Sequence, residues 1–172
     1  MDFCSRAGQM DPDADVVVFG GTNDFGHGDA PMGTMEDRTV DSFYGALRTL
    51  YLSLLNRFPR SSIVILTPLR RTTEDMPVSQ SGRFFRHYPL KNYVRAIREV
   101  AEYYALPVLD LFAVSGLQPR VEVINEAYFL DGLHPKADGH KILAHQVMAF
   151  LRCFPEKRRI LAVPANTAQK TQ

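Results

Sequence analysis

Two short stretches of this chain carry residues able to do chemistry. The first is Gly20-Gly21-Thr22-Asn23-Asp24, which follows the apolar run Val16-Val17-Val18-Phe19. Glycines at the mouth of a strand let the backbone turn tightly and approach a ligand, so Gly21 is a candidate ligand contact. The side-chain amide of Asn23 can donate to an oxyanion developing at a carbonyl under attack, a contact worth ~3–4 kcal/mol in the transition state. Asp24 is a candidate to orient that loop at the substrate mouth or to cap the next segment. A plain strand-to-loop turn would use the same residue types.

The second stretch is Asp131-Gly132-Leu133-His134-Pro135. Residues three apart can meet within one turn, so the Asp131 carboxylate can accept a hydrogen bond from a ring nitrogen of His134. That bond sets the tautomer, leaves the other nitrogen free as a base and stabilises the imidazolium formed in catalysis. Pro135 suits the start of a helix, where its missing N–H costs nothing. The plain alternative is a helix N-terminal cap with an incidental histidine. Further candidates are His27, which can line a substrate mouth, and Arg70 with Arg71, which can meet an anionic or hydroxyl-rich substrate. Solvated surface accounts for these three as well. His87, His140 and His145 lack metal-ligand spacing, the last two being five apart, and read as structural or exposed.

These residues need elements to hold them. Val16 to Gly20 reads as a strand covered on both faces. Val40, Phe43, Tyr44, Leu47, Leu50, Tyr51, Leu54 and Phe58 recur at helical spacing, and Pro59 ends that helix near Arg57. Ser61 to Leu69 is a second strand, 69–88 a long loop of the kind that carries function, and 90–104 a second helix. Leu106 to Phe112 reads as a third strand. A less regular stretch then leads to a helix over 137–152, with Ile142, Leu143, Val147, Phe150 and Leu151 facing inward. Strands alternating with helices predict an α/β domain with a parallel sheet, whose ligands bind outside the carboxyl ends of the strands. We expect one domain over 1–154 and a polar tail over 155–172.

Composition narrows the function classes. The chain has 172 residues, 45% of them apolar and 23% charged, with a formal net charge of +1. That is a globular balance with no nucleic-acid or membrane-surface footprint. Cys4 and Cys153 make neither a disulfide framework nor a zinc spacing, and a reduced, cytoplasmic setting fits them best. No basic, apolar leader opens the sequence, and no apolar run approaches the ~18 residues of a membrane span. Neither dinucleotide nor P-loop glycine pattern is present.

Taken in order, Gly21-Thr22-Asn23-Asp24 and Asp131-Gly132-Leu133-His134 resemble the G-x-N-D and D-x-x-H blocks of the SGNH (GDSL-type) hydrolases. The resemblance runs over nearly the whole chain. It implies a three-layer, flavodoxin-like parallel sheet with helices on both faces. It also implies ester hydrolysis through an acyl-serine intermediate, with no metal or organic cofactor. By the same resemblance Asn23 is the oxyanion donor, and Asp131 and His134 are the last two members of a Ser-Asp-His triad. The expected partner is a small ester, short-chain or an acetylated carbohydrate; the family also includes lipases and thioesterases.

One part of the family pattern has no counterpart here. No serine follows Gly-Asp in a turn after a strand, so the nucleophile block and the first strands are missing from this chain. The expectation is a shortened form of a longer hydrolase, inactive or very weak as it stands, with the edge and one apolar face of the Val16–Gly20 strand exposed. Ser5 or a serine of a partner chain are the substitutes to weigh. A non-catalytic binding protein that keeps the pocket is the alternative function, and a flavodoxin-like nucleotide-binding domain a third.

Overall fold

The strand that organises the molecule is β2 (Ile63–Leu66), whose four residues are all buried. A computed structural model describes residues 6–28, 30–75 and 88–154. The expected tail from 155, Cys4, Ser5, His87 and most of the 69–88 loop lie outside these residues. β2 pairs in parallel with β1 (Val16–Phe19) on one side and with β3 (Val108–Leu109) on the other. Successive side chains of a strand face opposite ways. Ile63 and Ile65 accordingly enter one core with α2 (Phe43–Arg57) and α3 (Leu90–Tyr103), whose Leu50, Leu54, Ile97 and Val100 meet them. Val64 and Leu66 enter a second core, against Leu143 of α6 (Ala137–Arg152). Ile142, Val147, Phe150 and Leu151 of α6 pack against it. This is the α/β fold with helices on both faces of a parallel sheet.

The first candidate stretch turns directly into a helix, α1 (Thr22–His27), rather than a loop. Gly21 occupies its N-cap position with φ of +97°, and a Cβ there would lie 2.8 Å from Ile97 Cδ1. Asp24 makes no cap and sits within the first turn. Phe25 is fully buried and meets the Tyr93 ring edge-on at 5.8 Å, which anchors α1 in the first core.

The third strand is shorter than the apolar run 106–112 suggests, and the reason is a side-chain network at its end. Asp110 caps α4 (Leu111–Val114) by accepting from Ala113 N. Thr67 Oγ1 donates to Asp110 Oδ1 at 2.9 Å and accepts from Phe112 N at 3.1 Å. These bonds draw the backbone out of the ladder after Leu109. The stretch read as irregular contains α5 (Glu122–Tyr128). It is short and none of its residues is fully buried: Val123 is 68% exposed, and Ile124 and Tyr128 are only partly buried against the second core.

β1 pairs with no described strand besides β2, and its Val17 and Phe19 are 45% and 47% exposed. The exposed edge expected for this strand is therefore present. Among the described residues no helix is long and apolar enough to cross a membrane.

Because Ile65 is 1% exposed in the first core, Ile65→Ala is expected to destabilise the fold by about 2–5 kcal/mol, through lost transfer energy and a residual cavity. A urea titration should show a lower midpoint at unchanged slope.

Candidate active site

The two stretches meet at the carboxyl ends of β1 and β2. A cavity of about 220 Å³ there is bordered by Asn23 and Thr22 from α1 and by Leu133, His134 and Pro135 from the second stretch. Phe19, Pro68, Leu69 and Leu143 make its apolar walls. On the other face of β1 lies a larger cavity of about 600 Å³, lined by Val18, Phe43, Leu47 and Ile97. Gly20 borders both. Gly21 and Asp24 border only the larger one, and burial beside it raises the Asp24 carboxyl above its usual range.

Asp131 and His134 pair as their spacing predicts. His134 Nδ1 lies 2.8 Å from Asp131 Oδ2, while Asp131 Oδ1 accepts from His134 N at 2.8 Å and Leu133 N at 3.0 Å. The bond from the His134 backbone, followed by that from its ring, holds the Asp131 carboxyl down at about 2. With Asp131 ionised, the Nδ1–H tautomer suits the contact, and Nε2 is left as the basic atom. Both side chains remain more than half exposed, at 67% for His134 and 54% for Asp131, so the pair stands at the rim where a substrate can reach it.

The loop that carries the pair is closed at its base. Phe129 bridges Pro135, Leu130 N donates to His134 O at 2.8 Å, and Lys136 N donates to Tyr128 O at 2.7 Å. Phe129, 2% exposed, roots it in the second core. α6 therefore begins at Ala137, after an N-cap at Lys136, and not at Pro135. At its tip Gly132 O accepts from Thr72 N at 3.0 Å. Gly132 has φ of +77°, and a Cβ on it would lie 2.5 Å from Thr72 Cγ2. Only glycine allows this approach without strain.

The remaining candidates stand apart from the cavity. Arg70 ion-pairs with Glu74 at 2.8 Å, donates from Nε to Phe112 O at 3.2 Å and stacks 3.8 Å over the Phe112 ring. His27 ends α1 on the exposed surface and borders neither cavity. Two residues gain weight instead. His140, in the first turn of α6, borders the cavity with His134. No local spacing marked it, because its place depends on the direction that α6 takes. Arg71, rather than Arg70, packs against α1, its guanidinium 5.1 Å from the Phe25 ring centre, and its neighbour Thr72 bonds to the second stretch. No described serine lines the smaller cavity; Thr22 carries the hydroxyl there.

Comparison with known proteins agrees with this fold. A family model described as the GDSL-like lipase/acylhydrolase family matches residues 2–142. One solved structure is 35% identical, with a TM-score of 0.77 over 87% of this chain and 69% of that chain. A protein from Lactobacillus plantarum is 27% identical, with a TM-score of 0.78 over 88% of this chain and 73% of that one. A structure described as a possible lipase from Chitinophaga pinensis shares the fold at 22% identity, with a TM-score of 0.64 over 89% and 79%. No curated protein matches the sequence.

Two outcomes are expected here. Gly132→Ala should cost about 1–3 kcal/mol through its left-handed backbone and speed hydrogen exchange at the Thr72 amide. Adding Thr72→Ala removes the clash but not the backbone strain, so it should restore only part of the loss. Acid provides the second outcome. The Asp131 carboxyl titrates near 2 in the fold, against roughly 3.9 in an unfolded chain. Its stabilising contribution is thus fully present above about pH 4 and fades as pH falls through about 2. Denaturation midpoints of wild type and Asp131→Asn should differ at pH 5 and converge towards pH 2.

Proposed function

The chain belongs to the GDSL-like lipase/acylhydrolase family, and on that premise we propose that it acts on carboxylic esters of small acyl groups. The observation that carries this reading is that Asn23 and His134, far apart in sequence, border one cavity of about 220 Å³. Its mainly apolar walls suit a short acyl chain, such as the acetyl group of an acetylated sugar, with a few polar groups among them.

His134 Nε2 takes the proton of the attacking hydroxyl as that oxygen bonds to the ester carbonyl carbon. The carbonyl oxygen becomes an oxyanion and receives a hydrogen bond from the Asn23 amide. Asp131 holds the ring and balances the imidazolium charge. Collapse of the tetrahedral intermediate breaks the bond to the alcohol oxygen, which leaves with the proton from His134. Water, deprotonated in turn by His134, then releases the acid. The nucleophilic hydroxyl is assigned to a serine that is not among the described residues bordering the cavity.

That placement of the serines also favours a second reading, in which the pocket binds acylated ligands without turning them over. The described Ser42, Ser61 and Ser115 are buried away from the cavity.

Initial rates with p-nitrophenyl acetate separate the two readings. Hydrolysis that falls by ~10²–10⁴-fold in His134→Ala, and in kcat by ~10²–10³-fold in Asn23→Ala, supports the hydrolase. Equal rates in wild type and His134→Ala would sink it. Calorimetric binding of an acetylated sugar without release of acetate would then leave the binding protein.

A further inference from the structure

Arg71 is a half-buried cation that the proposed chemistry leaves unused. It follows β2 by a few residues, at the carboxyl end of the sheet where the site lies. Its guanidinium faces the Phe25 ring of α1, with the carbon 5.1 Å from the ring centre. Nη1 lies 3.5 Å from where a Cβ on Gly26 would stand, an ordinary contact distance that puts the guanidinium beside α1. Its Nε is buried and has no hydrogen-bond partner among the described residues. The very next residue, Thr72, donates its N–H to Gly132 at the tip of the second stretch.

From this arrangement we propose that Arg71 is a positioning residue for the Asp131–His134 pair: its cation, stacked on Phe25, fixes to the helix that carries Asn23 the segment whose next residue holds the Asp131 loop, and it adds positive charge near the pair. The clamp has two contacts. Stacking on Phe25 ties the segment to α1, and Phe25 is itself fixed in the core. The hydrogen bond from Thr72 ties the same segment to Gly132. His134 and Asn23 are thereby kept at the border of one small cavity. Electrostatics agrees, because burial lowers the Arg71 guanidinium and the Asp131 carboxylate partly offsets that.

The other charged arginines and lysines around the pair are already engaged. Arg70 is paired with Glu74 and Arg120 with Asp75 at 2.5 Å. On α6 Lys141 is paired with Asp138 at 2.7 Å, and Lys136 Nζ donates to Glu126 O at 2.5 Å. His140 shares the cavity, while Asp24 and His27 ride on α1. Of the three arginines on this face, Arg71 is the one without a carboxylate ion pair among the described residues.

The kinetic part of this inference rests on the hydrolase reading; the electrostatic part does not. The test uses the full chain with Arg71→Met, Arg71→Lys and, should the Met variant not fold, Arg71→Gln. The first readout is an NMR titration of the His134 ring protons, which needs no turnover. Removing a nearby cation makes the pair easier to protonate, so its titration should move to higher pH in Arg71→Met or Arg71→Gln and stay in place in Arg71→Lys. The second readout is p-nitrophenyl acetate hydrolysis. There kcat should fall by about tenfold or more with KM little changed, the acid limb of the pH–rate profile should move up with the NMR titration, and Arg71→Lys should recover part of the loss. A folded Arg71→Met or Arg71→Gln whose pair titrates as in wild type overturns the inference. If no protein hydrolyses the ester, the hydrolase reading fails and the NMR titration alone decides the role of Arg71.

Discussion

Everything at the site depends on the parallel register of β1 and β2. Val16 aligns with Ile63 and Phe19 with Leu66, so both strands stop at the same level. The backbones that leave them, at Gly20 and Thr67, therefore enter the same space. Parallel pairing is stable here because helices bury both faces of β2, leaving it no contact with water that a polar residue would have to satisfy. A register shifted by one residue would send Ile63 and Ile65 to the wrong core and separate the two turns.

Around that register the molecule separates rigid anchors from reachable chemistry. Phe25 and Phe129 are buried, each a few residues from a polar group at the rim. Asn23 rides on the first and the Asp131–His134 loop on the second. Hydrophobic burial thus supplies the fixity that exposed side chains, with their rotamer freedom, cannot supply for themselves. The imidazole is held by Oδ2 of a carboxylate whose other oxygen, Oδ1, accepts from two backbone N–H groups, so the orientation of the carboxylate is set by the backbone of its own loop.

Glycine has a specific part at two points. At Gly21 the close approach of Ile97 leaves no room for a side chain, and at Gly132 the same is true of Thr72. Each lets one functional stretch sit against an element from a different part of the chain. Arg71 stacks on Phe25 beside the first of these stretches, and its neighbour Thr72 bonds to Gly132 in the second. The small cavity, the paired His134 and the amide of Asn23 make one unit in space although three elements supply them.

Much of this was legible in the sequence because local rules carry it. Alternation of strand and helix follows from apolar periodicity, the Asp131–His134 pairing from a spacing of three within one turn, and the family from two short ordered blocks. Other features had no local signal. The third strand ended early because Thr67, distant in sequence, captured Asp110. α5 shows no buried stripe. Arg70 and Arg71 are chemically identical neighbours, and only the positions of Glu74 and Phe112 on one side, and of Phe25 on the other, tell them apart. His140 gained its place from the direction in which α6 leaves Pro135. Sequence determined which residue types could react and which segments would be strand or helix, since backbone propensity and periodicity act over a few residues. Tertiary structure decided which of them face one another, because that depends on packing between segments far apart in the chain.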